Sequence, residues 1–339
     1  MSELRQNVLT GDWVVIAAHR AMRPESFSRE IRPPLAERLA GCPFCAGNES
    51  QTPPEIFALR QRGAVDQPGW LVRVVPNKFP ALAPTAQNEA RLHRHGDSLK
   101  PVPIDLYPSL PGKGRHEVII HGPDHNRALA AMAEDEVAAV FGVYQHRLLD
   151  LKRDPGLAAG IIVVNHGREA GASIEHPHSQ LFAMTFVPPL IAREVAGIRA
   201  HKNREGVCPL CAMVEREREG GQRLVAENDH FLAFCPYASR APFEIYIVPK
   251  DHQRDFSAMS EFGITAAAAM AKECLSRLYE RLGDPPYNVY LHTAPFSGDD
   301  DFHWHLVVLP KTSVVAGFEF GTGIMINVTE PEAAAEFLR

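Results

Sequence analysis

No stretch of this sequence reaches the roughly 18 consecutive apolar residues that a membrane-spanning helix requires. The opening "MSELRQNVLT" also lacks the apolar core of an export signal. Both absences lead to the expectation of a cytoplasmic protein with no membrane partner. A basic block is missing too. Lys and Arg number 35 against 41 Asp and Glu, for a net charge of −6, so no nucleic-acid partner is expected. Small anionic ligands need only a few local arginines and stay open. Cysteine is scarce: six residues, four of them in the pairs "CPFC" and "CPLC". Without an export signal, that pattern favours metal binding over disulfides. Cys235 and Cys274 are left over and read as inert buried thiols. At 339 residues the chain exceeds one small core and fits two domains or one large one.

The chain repeats itself. "GRHEVIIHGPDHNRAL" resembles "RAPFEIYIVPKDHQRDF", and "HPHSQLFAM" resembles "HWHLVVLPK". Four pairs share one offset of 127 residues: Glu117 with Glu244, His125 with His252, His176 with His303, and His178 with His305. Each half begins with its own CxxC. A polar, Pro- and Gly-rich insertion at residues 81–114 lengthens the first half and reads as a long loop. Apolar residues recur at three and four in "NRALAAMAEDEVAAVFGVYQHRLLDLKR" and "SAMSEFGITAAAAMAKECLSRLYERL", as in helices. Short β-branched runs such as "AAGIIVVNHG" and "YNVYLHTAP" read as strands. The expected class is α+β, antiparallel sheet flanked by helices, in two tandem halves at 1–200 and 201–339, each a strand–helix–strand–strand unit. "HKNREGV" is expected as the linker.

Each CxxC has histidine partners at matching spacing, which fits two tetrahedral Cys₂His₂ sites. The first comprises Cys42, Cys45, His125 and His176; the second Cys208, Cys211, His252 and His303. His116 and His121 compete for the third position of the first site, but His125 alone has a repeat partner. Such ligation favours zinc, with iron the alternative at one site. Four protein ligands leave no open position, so both sites are expected to be structural.

If His176 is a ligand, His178 is free. A neutral imidazole is a competent nucleophile toward phosphorus near neutral pH. The preceding "NHGREAGAS" offers glycines where backbone N–H groups can approach phosphate, plus the Ser173 hydroxyl. Gln180 follows on the same strand face. Its amide can donate to a phosphoryl oxygen but shuttles no proton, which suits leaving groups such as phosphates. In the second half the matching "HWHL" lacks these polar residues, so the chemistry is placed in the first half.

"HPHSQ" preceded by "NHGREAGAS" resembles the active-site segment of the galactose-1-phosphate uridylyltransferase family, within the histidine-triad superfamily. "LTGDWVVIAAHRAMRPESF", "CPFCAGNES", "RVVPNKFPAL" and "VAGFEFGTGIMINVTEPEAAAEFLR" follow in family order, so the resemblance covers nearly the whole chain. It implies ping-pong transfer of a nucleoside monophosphate from a sugar nucleotide to a sugar 1-phosphate through His178. By the same resemblance, Arg20 and Arg23 contact phosphates and Asn77 lies near the base or ribose. Asn165 and the backbone at Gly171 orient the histidine loop, while Ser173 and Gln180 hold phosphoryl oxygens. Val315, Phe318 and Glu319 sit near the hexose, donated by the other subunit of a homodimer. UDP-glucose:hexose-1-phosphate uridylyl transfer in galactose metabolism is the leading reading. The second CxxC resembles family members with two Cys₂His₂ sites, among them an ADP-glucose phosphorylase; an ADP-glucose phosphorylase or adenylyltransferase with phosphate as acceptor is the alternative. A dinucleotide or phosphoramidate hydrolase is disfavoured by Gln180, since hydrolysis benefits from a proton-competent third histidine. A non-enzymatic nucleotide-binding module is the remaining reading.

Overall fold

The structure, a computed structural model, describes residues 2–17, 27, 36–84, 111–296, 298 and 301–339. Arg20, Arg23 and most of the 81–114 insertion lie outside them.

The protein is built on one ten-stranded antiparallel sheet. Its strands are β3 (Phe57–Arg60), β4 (Trp70–Pro76), β5 (Gly114–Ile120), β6 (Ala159–His166) and β7 (His178–Met184), then β8 (Leu224–Glu227), β9 (Phe231–Phe234), β10 (Ile245–Pro249), β11 (Tyr287–His292) and β12 (His305–Pro310). Their order is β3-β4-β5-β7-β6-β11-β12-β10-β9-β8. Read inward from either edge, the order meets corresponding strands of the repeat, and β6 pairs with β11 at the centre. A three-stranded sheet of β1 (Glu3–Gln6), β2 (Trp13–Ile16) and β13 (Met325–Asn327) ties the two ends of the chain together. The class is α+β, as expected.

Two helices cover one face of the large sheet: α1 (Glu134–Leu151) and α4 (Glu261–Leu282). In α4 the buried positions 264, 267, 268, 271, 275, 278 and 282 form one apolar stripe. Ser260 caps its N-terminus by accepting from the Gly263 N–H, and left-handed Gly283 ends it. The expected helix beginning near residue 126 starts later, because residues 129–131 form a single 3₁₀ turn before α1.

The two halves differ on the other face. There α2 (Pro189–Glu205) and α3 (Pro209–Gly220) lie on the second half, where Ile191, Val195 and Ile198 pack against Leu232, Phe234, Tyr246 and Val307. The segment expected as a linker is therefore mostly the end of α2, closed by Gly206 at φ +77°. In the first half no helix among the described residues takes that place. The face instead carries Cys42, Phe44, Cys45, Trp70, Val118 and Ile120. The remaining helices are α5 (Gly317–Thr322) and α6 (Pro331–Leu338).

Candidate active site

Both predicted Cys/His sets come together. In each, the donor atoms lie within 4.8 Å of one another. His176 Nδ1 is 3.8 Å from Cys42 Sγ and 3.6 Å from Cys45 Sγ, and His125 Nδ1 is 3.6 Å from Cys45 Sγ. In the second set His303 Nδ1 is 3.8 Å from Cys208 Sγ and 3.5 Å from Cys211 Sγ, with His252 Nδ1 3.4 Å from Cys211 Sγ. Nδ1 faces inward in all four histidines. His176 Nε2 donates to the Gly122 carbonyl at 2.8 Å, His303 Nε2 to the Pro249 carbonyl at 3.1 Å, and His252 Nε2 to Asp301 Oδ1 at 2.9 Å. An outer partner that holds the far nitrogen's proton leaves Nδ1 bare, as ligation requires. The residues thus fit a metal ion in both places. The first cluster is wholly buried; in the second, Cys211 and His252 reach the surface. Neither His116 nor His121 joins the first cluster.

β7 begins at His178, so His176 lies just before the strand rather than in it. His178 Nδ1 donates to the His176 carbonyl at 2.8 Å. That bond leaves Nε2 with a lone pair. Burial pushes the His178 pKa below the ordinary imidazole range, partly offset by the bond to the carbonyl. The residue lines a small cavity with Asn165, Gly167, Ala172 and Glu175. The loop before it turns on two glycines with positive φ, Gly167 at +81° and Gly171 at +90°, a region L side chains avoid. A Cβ on Gly167 would lie 2.9 Å from Pro286, so that position is closed to larger residues. Ser173 is exposed on this loop and does not line the cavity.

Gln180 sits two residues beyond His178. Its Oε1 accepts from His116 Nε2 at 2.8 Å and lies 3.5 Å from Asn77 Nδ2. Asn77 and His116 line a broad cleft of about 690 Å³ that also holds Lys78, Arg115 and Arg147. Across the central strand pair, Asn288 Nδ2 donates to Asn165 Oδ1 at 2.7 Å and to the Ala170 carbonyl at 2.9 Å. By spacing His116 is only a rival metal ligand, and Asn288 carries no motif. The signal available was a lone Asn in the otherwise apolar and aromatic strand "YNVYLH".

The counterpart of His178 is arranged differently. His305 Nδ1 donates to the His303 carbonyl at 3.1 Å, repeating the bond of the first half. Yet His305 is 0% exposed, against 8% for His178. Phe302, Tyr246 and His292 surround it, and α2 presents Glu194 beside it. Burial pushes its pKa down to about 4. Glu194 itself pairs with His292 Nδ1 at 2.9 Å. These three residues also bring donor atoms within 4.8 Å, but the Glu194 carboxylate is already engaged by His292 Nδ1, 2.9 Å and 3.0 Å from its two oxygens. Helix α2 has closed the face that stays open in the first half.

Val315 and Glu319 do not reach the His178 cavity within one chain. They line a separate cleft with Arg240, Lys311 and Met325, and Phe318 is exposed beside them.

The model of the family described as galactose-1-phosphate uridyl transferase, N-terminal domain, matches residues 1–188. The chain belongs to the galactose-1-phosphate uridylyltransferase family. A model of a domain of unknown function, DUF4921, matches residues 124–338. Among relatives of the family, an ADP-glucose phosphorylase of Arabidopsis thaliana is 30% identical over 99% of this chain and 92% of its own. A galactose-1-phosphate uridylyltransferase of Thermotoga maritima is also 30% identical, over 100% and 98%. The crystal structure of an ADP-glucose phosphorylase from Arabidopsis thaliana with bound ADP-glucose superposes with a TM-score of 0.82 at 30% identity, covering 100% of this chain and 98% of that one.

Proposed function

We propose that the protein transfers a nucleoside monophosphate from a sugar nucleotide to a phosphate-bearing acceptor through a covalent nucleotidyl-His178. The observation that carries this reading is the His178 Nδ1–H bond to the His176 carbonyl, which leaves Nε2 as the free lone pair of a neutral ring. In the first step Nε2 forms a bond to the α-phosphorus. The bond from that phosphorus to the bridging oxygen breaks, and hexose 1-phosphate departs with the electron pair. Phosphate leaves without protonation, in keeping with a neighbouring glutamine rather than a third histidine. In the second step an acceptor phosphate oxygen attacks phosphorus, the P–N bond breaks, and His178 is restored.

Asn165 and the Gly171 backbone would orient the histidine loop, Gln180 and Ser173 would hold phosphoryl oxygens, Ser173 from the exposed loop outside the small cavity, and Asn77 would meet the ribose or base at the broad cleft. Arg20 and Arg23 would supply phosphate contacts. Val315, Phe318 and Glu319 would reach the hexose from the second subunit of a homodimer, since in one chain they lie in another cleft. Zinc at each Cys₂His₂ set would be fully ligated by protein and supply rigidity. We place the boundary between the catalytic half and its partner at residue 200, and the enzyme in the cytoplasm.

Two donors fit this chemistry. UDP-glucose with a hexose 1-phosphate acceptor is supported by the family match over residues 1–188. ADP-glucose with phosphate as acceptor is supported by the full-length likeness to the Arabidopsis enzyme and by two Cys₂His₂ sets. Incubation with radiolabelled UDP-glucose and ADP-glucose, separately, distinguishes them. The expected result is acid-labile protein label from one donor, absent in His178→Ala. Label that persists in His178→Ala would refute the nucleophile, and release of free nucleotide without acceptor would favour hydrolysis.

A further inference from the structure

Three side chains of the proposed site carry a two-fold ambiguity. An imidazole can hold its proton on either nitrogen, and a carboxamide can turn either oxygen or NH₂ toward a ligand. Each ambiguity ends at a backbone group that has only one possible role. For His178 that group is the His176 carbonyl.

For Asn165 it is the Ala170 carbonyl. A carbonyl only accepts, so the Asn288 atom 2.9 Å from it is the amide nitrogen. The same nitrogen donates to Asn165 Oδ1 at 2.7 Å. With its oxygen taken, Asn165 turns Nδ2 to the other side. There it lies 3.9 Å from where a Cβ on Gly171 would stand, in the residue set that also lines the His178 cavity.

For Gln180 the anchor is the Ala81 N–H. It only donates, so His116 Nδ1, 3.1 Å away, is the acceptor. His116 is then protonated on Nε2, and that N–H donates to Gln180 Oε1 at 2.8 Å. The Asn77 oxygen accepts from the Phe79 N–H at 2.8 Å, so its amide nitrogen is turned inward, 3.5 Å from Gln180 Oε1 and 3.1 Å from His116 Nε2; the latter carries its own proton and cannot accept, which leaves Gln180 Oε1 as the acceptor for both. No described residue takes the remaining NH₂ of Gln180. Burial also holds the His116 pKa below the ordinary range, partly offset by Gln180, which agrees with a neutral ring.

We infer that His116 and Asn288 are positioning residues: they lock the carboxamides of Gln180 and Asn165 with NH₂ groups toward the phosphoryl group that His178 receives. The inference rests on the proposed role of His178. It gives the second half a part in the chemistry, because Asn288 stands on β11 opposite Asn165 in the strand register. Without these donors each carboxamide could turn its oxygen toward an anion, exchanging attraction for repulsion. Preorganised donors of this kind cost no reorientation as charge develops.

The test follows the rate at which radiolabelled UDP-glucose or ADP-glucose labels His178, with metal content and melting temperature measured alongside. His116→Phe keeps a ring against Phe182, whose centroid is 4.0 Å from that of His116, and removes the donor. Asn288→Asp places an acceptor against Asn165 Oδ1. Each is expected to slow labelling about a hundredfold, the loss typical of one preorganised donor, with metal content unchanged. His116→Phe should add little to Gln180→Ala, and Asn288→Asp little to Asn165→Ala. Should Asn288→Asp fail to fold, the His116 and Gln180 pair carries the test alone. Wild-type labelling rates in the variants, or losses that simply multiply, would overturn the positioning role and leave the His178 reading standing. Absence of label on the wild-type protein with either donor would overturn both.

Discussion

His176 and His178 stand two residues apart and do different things because different ring nitrogens are engaged. His176 keeps Nδ1 inward by donating from Nε2 to Gly122, while His178 spends Nδ1 on a carbonyl and keeps Nε2. The ligands were readable from spacing, since two CxxC pairs shared histidines at one offset. The partners of Gln180 and Asn165 were not, because His116 and Asn288 lie 64 and 123 residues away from them and meet them only across strands. Two outcomes belong at this scale. Gln180→Glu should slow nucleotidyl transfer by about a hundredfold, since one carboxylate oxygen would face the phosphate in place of NH₂; a chemical-quench time course reads it, and an unchanged rate would remove Gln180 from the phosphate contacts. Cys45→Ser should lower metal content by one ion per chain while leaving the second cluster loaded, as read by elemental analysis of purified protein.

At the scale of elements, α2 decides which half is open. Its sequence "PLIAREVAGIRAHKNRE" mixes charges and apolar residues, and by composition its end reads as a linker. What makes it a packed helix is the sheet face beneath it. The N-terminal segment lies over it just as closely: a Cβ on Gly197 would stand 1.9 Å from the Leu9 carbonyl oxygen. Glycine to alanine inside a helix ordinarily stabilises by up to about 1 kcal/mol. Here Gly197→Ala should destabilise instead, because the N-terminal segment must move, and the urea midpoint will show the sign. Ile198, fully buried in the same contact, should cost about 2–5 kcal/mol as Ile198→Ala. A cost near zero for both would mean that α2 does not hold the second face shut.

Across the whole molecule, the halves are joined by the β6–β11 pair and by ion pairs such as Lys152 with Asp255. Burial pushes the Asp255 carboxyl up, but the Lys152 ammonium and the Ser257 N–H and hydroxyl outweigh it and bring its pKa below the usual carboxylate value. A depressed pKa contributes stability that is present above the unfolded value, about 3.9, and is lost as pH falls through the folded one. Urea titrations at pH 7 and pH 3.5 should therefore show a smaller acid loss in Asp255→Asn than in the wild type; equal losses would place the acid sensitivity elsewhere. Val314, Phe318 and Phe320 are exposed apolar residues in and just before α5, the segment proposed to serve the partner's site. Sedimentation velocity should find a dimer, and a monomer at micromolar concentration would remove that segment from the hexose contacts.

Composition and spacing were enough to establish the α+β class, the internal repeat and the eight candidate metal ligands, because each depends on residue types recurring at fixed intervals along the chain. They also singled out His178, through the polar residues around it. They did not reach the orientation of Gln180 and Asn165, the covering of His305, or the separation of Glu319 from the His178 cavity. Those depend on which strands pair and which helix lies on which face, and such contacts join residues far apart along the chain, 64 positions for Gln180 and His116 and 123 for Asn165 and Asn288.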